Sequence, residues 1–304
     1  SGIFYMAGEL SAATATGDVG QITALCRHLE FFAAHPALAV TPLSNGELNL
    51  NYRVETSRGV YAVRRYPPSS SGVCRQQELR CQHAAAVAGI APAPLCLNNH
   101  LQVLISEFIQ GGACFAVTER TIPILACTLV KLHQLGARTA VLHPVNYLQQ
   151  LAKQTGQAFV SADARLFARL LATAEYYQTL PIDTVLCHLD LHGGNMLWTD
   201  QKLWLLDFEY AQSADSCLDL AAVSLNFQLS AESEQQLLSA YRKQRAHGAG
   251  TETEFSAKLA LAKIIFSGFC WLWYLSLQQK LTSGQQQAQY WQQQLAEQLA
   301  LQTS

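Results

Sequence analysis

His188-Leu189-Asp190-Leu191-His192-Gly193-Gly194-Asn195, followed downstream by Asp207-Phe208-Glu209, is the stretch that decides how this chain folds. It is an H-x-D-x-x-x-x-N segment feeding a D-F-x segment, the ordered set of polar groups that phosphoryl transfer from ATP requires. In that chemistry one Asp faces the acceptor hydroxyl, the place taken by Asp190. An Asn and a second Asp, here Asn195 and Asp207, hold magnesium against the phosphates. Met196-Leu197-Trp198 and Leu203-Trp204-Leu205-Leu206 read as two short apolar strands joined by the polar turn Thr199-Asp200-Gln201-Lys202. Such a hairpin returns the chain, so Asn195 and Asp207 end on one side of one cleft.

At 304 residues the chain is long enough for two lobes, each with its own core. Half of it is hydrophobic and only 14% is charged, which describes a buried globular protein and excludes a disordered one. Twenty basic residues stand against 22 acidic ones, for a net charge of −2. With no run of Lys and Arg, the footprint of a nucleic-acid partner is absent. The nine cysteines are an odd number with no C-x-x-C pair, a pattern of reduced thiols and a cytoplasmic setting rather than of disulfides or a metal site. Residues 1–20 are small and polar, without the basic head or apolar core of a secretory signal. The most apolar run, residues 264–277, is shorter than the roughly 20 residues a bilayer span needs, so a buried helix in a soluble protein is expected, with no membrane contact.

Residues 18–32 carry Ile22, Leu25, Leu29 and Phe32 on one helical face. Pro36 and Pro42 interrupt the next stretch, and from Leu43 the pattern becomes a meander: a turn at Asn45-Gly46, a strand over 51–56, a Ser57-Arg58-Gly59 turn and a strand over 60–65. After a Pro- and Ser-rich linker at 67–72, a helix is predicted over 73–88, closed by Gly89. Residues 101–108 form another strand. Gln110-Gly111-Gly112 breaks the pattern and marks the boundary between an N-terminal lobe, 1–110, and a C-terminal lobe, 111–304. Beyond it the chain reads helical, with a stripe at Ile124, Leu125, Thr128, Leu129 and Leu132, a helix over 163–179 and more helices from Leu218. The glutamine-rich tail, 285–302, places Ala288, Trp291, Leu295 and Leu299 at helical spacing and should dock as an amphipathic helix.

Strands with one helix, a short hinge, then helices around one chemical hairpin make an α+β, bilobal, protein-kinase-like layout. The chain resembles the aminoglycoside phosphotransferase and choline kinase family, and within it the bacterial thiamine kinase and choline kinase branch. The resemblance runs from Leu43 onward and is densest over 186–222, where His188-x-Asp190, Asn195, Asp207-Phe208-Glu209-Tyr210-Ala211 and Asp219-Leu220-Ala221 fall in place. It implies an ATP- and Mg2+-dependent kinase of a small-molecule alcohol. Arg64, in Ala62-Val63-Arg64, takes the slot of the kinase strand lysine, and Glu78 in the following helix is its expected ion-pair partner. Asn45 and Gly46 stand where the family shows a glycine pair in its nucleotide loop. Ser106-Glu107-Phe108-Ile109 resembles the hinge that meets adenine, which puts Glu107 and Ile109 among the cofactor contacts. Asp219 either supports the catalytic loop or caps a helix. His188 should brace that loop by hydrogen bonds, and His192 receives no catalytic role.

Glu209 would share the face of Asp207, within reach of metal or acceptor, or else be solvated. Phe266, Phe269, Cys270, Trp271, Trp273 and Tyr274 resemble the choline kinase W-x-W segment, and aromatic faces beside a carboxylate suit a delocalised cation such as choline or thiamine. Most of these rings should be core; Trp271 is nominated as the one that meets the acceptor. Two alternatives stand beside the cationic-alcohol kinase. An antibiotic phosphotransferase is disfavoured by the sparse carboxylates between Asp219 and Glu297, and a non-catalytic nucleotide-binding module by the intact Asp190, Asn195 and Asp207.

Overall fold

The computed structural model describes residues 12–43, 49–67, 73–156, 159, 161–245, 251–278, 281 and 283–302. Its N-terminal part begins with helix α1 (Ala12–His28) and a short 3-10 turn (Glu30–Phe32). Strands β1 (Ala39–Pro42), β2 (Leu50–Thr56) and β3 (Gly59–Arg65), helix α2 (Arg75–Val87), and strands β4 (Pro94–Asn98) and β5 (Val103–Glu107) come next. The five strands form one antiparallel sheet in the order β1-β2-β3-β5-β4. Period-two alternation sends Tyr52, Val54, Val63, Val103 and Ile105 into a core closed by Ile22, Cys26, Leu29 and Phe32. Arg64, between buried Val63 and half-buried Arg65, therefore points from the opposite face. Gln82 fastens α2 to the sheet, its amide donating to the Pro92 carbonyl and to Ser106 Oγ, both at 3.0 Å. Gly89 ends the helix at φ +73°, the left-handed position expected of it.

The two strands of this sheet missed by pattern reading, β1 and β4, are its edges, and each carries a proline. Proline is tolerated there because an edge N–H has no partner to lose. The chain leaves the sheet through Gln110-Gly111-Gly112, with Gly111 at φ +68°.

Beyond it lie β6 (Ala113–Cys114), α3 (Ile122–His133), α4 (Pro144–Gln154), α5 (Ser161–Tyr177), β7 (Thr184–Cys187), β8 (Met196–Thr199), β9 (Lys202–Leu205) and β10 (Gln212–Asp215). Helices α6 (Ser216–Asn226), α7 (Ala231–Arg245), α8 (Glu252–Leu277) and α9 (Gly284–Leu301) complete the described chain. The expected hairpin is β8–β9, paired Met196 with Leu205 through Thr199 with Lys202. Its tip turns at Asp200 and Gln201, both at positive φ, and Trp204 Nε1 donates to Thr199 Oγ1 at 2.8 Å. β7 pairs with β10, so the segment that leaves β7 toward Asp190 and the segment that enters β10 from Glu209 emerge at one end of a two-stranded ribbon. The nine cysteines are free thiols.

Helix α8 is the axis of this part. At 26 residues it passes the length and hydropathy test for a membrane span, yet α4, α5, α6 and α9 pack around it. The tail docks on it as expected: Ala288, Trp291, Leu295 and Leu299 are buried, and Trp291 meets Phe266 edge-to-face at 6.1 Å. Trp291→Ala is expected to cost about 3–5 kcal/mol by opening that seam. A midpoint in guanidinium unfolding unchanged from the wild type would show that the tail is not docked.

Candidate functional site

The loop from His188 to Asn195 hangs from one carboxylate. Asp219, in the first turn of α6, is fully buried. Its Oδ2 accepts the His188 N–H and its Oδ1 accepts the Leu189 N–H, both at 2.8 Å. His133 Nε2 lies 3.1 Å from Oδ2, and the other nitrogen of that ring meets Tyr241 Oη at 2.6 Å. Of the two roles open to Asp219, the loop support is the one the structure shows. Leu189 is thereby held at φ +64°, a conformation that costs a non-glycine residue about 1–3 kcal/mol. His188, also buried, reaches across with Nε2 to the Leu206 carbonyl at 2.8 Å and packs on Phe208, so it braces the loop as expected.

Asp190 comes next, at the open side, with 33% of its side chain exposed. Asn195 Nδ2 donates to its Oδ2 at 2.8 Å and to its main-chain oxygen at 3.0 Å. Desolvation by itself would raise the Asp190 carboxyl, but His192, His188 and the Asn195 amide outweigh it and hold the group below the usual carboxylate range. His192, assigned nothing from sequence, stands 3.6 Å from Asp190 Oδ2 and also meets the Asn195 amide.

The hairpin places Asp207 at the other side of the Leu206–Asn195 hydrogen bond, at φ +62°. The expected pair of Arg64 with Glu78 is present, and Arg64 Nη1 is 3.1 Å from Asp207 Oδ1. Burial opposes the Arg64 charge, but Asp207, Glu78 and Glu209 together hold it more firmly protonated than usual. Burial, with Glu78 and Asp190 adding to it, raises the Asp207 carboxyl despite Arg64. Asp207 Oδ1 is buried without a hydrogen bond. A buried carboxylate oxygen whose partner is the Arg64 ion pair and no hydrogen bond is the kind of donor a hard cation takes. Asn195 commits its amide nitrogen to Asp190 and His192, which leaves its side-chain oxygen as the atom it could offer a metal. The residues therefore fit a magnesium ion held by Asp207 and Asn195.

Glu209 is not solvated. Its Oε2 receives Arg75 Nη1 at 3.0 Å, and the buried Asn49 amide also faces it. Desolvation, with Asp207 beside it, pushes the Glu209 carboxyl up to about 7. Sequence reading missed Arg75, although Arg75-x-x-Glu78 is an i,i+3 ion pair on one helix turn.

Glu107 and Ile109 stand at and just beyond the end of β5, where the exposed Glu107 carboxylate accepts the Ala93 N–H at 3.0 Å. Asn45 and Gly46 lie outside the described residues. Trp271 is a correction: it is 1% exposed and stacks on Phe159 at 5.5 Å, inside the core. A helix buried on most sides gives no period from which to choose the ring that faces the cleft. Trp273 is the ring that neighbours the Asp207-Phe208-Glu209 segment, its Nε1 donating to Tyr210 Oη at 3.2 Å. Tyr147, edge-on to Phe269 at 4.8 Å, lies on the same side. Burial first, then neighbours that include the Asp190 charge, raise both the Tyr147 and the Tyr210 phenols.

The raised Glu209 carboxyl has a thermodynamic consequence in the metal-free protein. Between the ordinary carboxylate range and about 7 the folded chain binds a proton there that the unfolded chain does not, so stability falls as pH rises through that window. From about pH 5 to about pH 8 the wild type is expected to lose on the order of 3 kcal/mol relative to Glu209→Gln. Denaturant unfolding at both pH values measures this; parallel pH slopes would contradict it.

The sequence profile of the phosphotransferase enzyme family matches residues 39–255. Protein LicA of Haemophilus influenzae is 31% identical over 137 residues, 44% of this chain and 39% of LicA, so the chain matches less than half the length of that curated relative. The crystal structure of the choline kinase LicA from Streptococcus pneumoniae superposes with a TM-score of 0.77 at 18% identity, covering 91% of this chain and 99% of that one. A LicA in complex with AMP superposes with a TM-score of 0.73 at 20% identity, over 95% of this chain and 100% of the other. The chain belongs to the phosphotransferase enzyme family, with the two-lobed protein-kinase-like fold.

Proposed function

We propose that this chain transfers the γ-phosphoryl group of ATP to the primary hydroxyl of a small cationic alcohol of the choline or thiamine kind. The observation that carries this reading is Asp190, a carboxylate kept ionised at the loop's open side and close to the Tyr147, Tyr210 and Trp273 rings. In this reading residues 1–110 form the nucleotide lobe and 111–304 the catalytic and acceptor lobe. Likeness to a choline kinase and to an AMP-bound relative supports a choline-type acceptor and a nucleotide partner.

An acceptor hydroxyl would donate its hydrogen bond to Asp190, which aligns the oxygen with the γ-phosphorus and takes the proton as the new bond forms. Asn195 holds that carboxylate in one orientation, so the alignment is present before substrate arrives. Arg64 would turn its fixed fork from Asp207 to the phosphate oxygens. Asp207 and Asn195 would hold magnesium, which when bound would supply charge neutralisation for the phosphates. Aromatic faces attract an onium group by about 0.5–2 kcal/mol each, and Glu209 adds an anionic partner. A polyamine antibiotic would call for more carboxylates than Asp190, Asp207 and Glu209 provide here.

ADP release with ATP and magnesium should accompany choline, ethanolamine or thiamine, and not a sugar or an aminoglycoside. Asp190→Asn is expected to lower kcat roughly 10²–10⁴-fold with the KM for ATP little changed. Turnover only with an aminoglycoside, or an unaffected Asp190→Asn enzyme, would overturn the reading.

A further inference from the structure

Glu78 is 1% exposed and divides its two oxygens between two arginines. Oε1 takes Arg64, and Oε2 takes Arg75 Nη1 at 2.7 Å. Each arginine then passes to a different acid of the Asp207-Phe208-Glu209 segment: Arg64 to Asp207 at 3.1 Å, Arg75 to Glu209 at 3.0 Å. The five groups form a ladder with two positive and three negative charges. Helix α2 supplies the hub, and the segment after β9 supplies the two ends.

Arg75 is oriented independently of that ladder. Its guanidinium lies 4.2 Å from the centre of the Tyr66 ring, and Tyr66 Oη donates to Asn99 Oδ1 at 2.7 Å. A planar cation stacked on a fixed ring has few other settings for its fork. Next to Arg75, the Gln77 amide donates to the Ala211 carbonyl at 2.9 Å, so the same helix turn grips the main chain just beyond Glu209. Glu209 is thus held toward the nucleotide lobe from two sides, although it lies on the acceptor lobe.

We infer that Arg75 is a positioning residue for the phosphoryl-transfer site: acting through Glu209 and the shared Glu78, it makes acceptor binding depend on nucleotide occupancy. This rests on the function proposed above. When phosphates draw Arg64 away from Asp207, Glu78 loses part of its competition and can hold Arg75 more fully. Arg75 then sets the position Glu209 takes toward an acceptor cation. The dependence is reciprocal, because a coupling free energy acts equally on both ligands.

The test is calorimetric titration of choline and of thiamine, with and without a non-hydrolysable ATP analogue and magnesium, beside steady-state kinetics. In the wild type the analogue should tighten acceptor binding by at least about fivefold. In Arg75→Met that factor should fall toward unity, and the acceptor KM should rise about tenfold with a smaller change in kcat. Arg75→Lys, which keeps the charge but not the fork, should recover part of the coupling. Arg75→Met added to Glu209→Gln should cost little beyond Glu209→Gln alone, because both act through one contact. Thermal unfolding of each variant separates loss of fold from loss of coupling. Full coupling in Arg75→Met, or additive effects of the two substitutions, would overturn the inference while leaving the proposed function standing. A wild type that phosphorylates no acceptor would overturn both.

Discussion

A fully buried carboxylate accepting two consecutive main-chain N–H groups is the constraint on which this molecule turns. Asp219 holds the amides of His188 and Leu189, and Leu189 sits at a positive φ that no β-branched or bulky residue adopts unaided. The cost of that conformation is about 1–3 kcal/mol, and each hydrogen bond to a charged group returns about 1.5–3 kcal/mol. Two such bonds are enough to hold the strain. Asp190 is the next residue, and its direction is set by the turn that Asp219 imposes. His188 then ties the same turn to Leu206, which fixes where Asp207 can be.

The charges around the cleft are a consequence of that placement. Two carboxylates, Asp207 and Glu209, emerge on one short segment facing Arg64, Arg75 and Glu78. The group carries one more negative charge than positive, and burial accentuates the imbalance. It shows in the raised carboxyl groups at Asp207 and Glu209 and in an oxygen of Asp207 with no hydrogen bond. Asp190 departs in the opposite direction because His192, His188 and the Asn195 amide outweigh its burial. A site that keeps one carboxylate ionised and leaves another short of positive charge is suited to one base and one cation.

Much of this arrangement is legible in the sequence. The hairpin can be read because its strands are apolar and its turn is polar, and it carries Asn195 and Asp207 to one place. Arg64 is assigned by resemblance, from its place in Ala62-Val63-Arg64 at the slot of the kinase strand lysine, and alternation along β3 sets Arg65 on the other face. The features that escape such reading do so for physical reasons. The edge strands β1 and β4 contain prolines, and α4 begins on one, so each looks like a break. Arg75 stands far along the chain from Glu209, and nothing local marks a partner at such separation. Trp271 and Trp273 are equivalent in sequence terms; only the neighbours of α8 decide that one enters the core and the other meets Tyr210.

The most direct test is phosphorus NMR of the purified chain with ATP, magnesium and either choline or thiamine. The account expects a new phosphomonoester resonance growing in step with ADP. Release of orthophosphate alone, or spectra that stay those of ATP while nucleotide demonstrably binds, would contradict it.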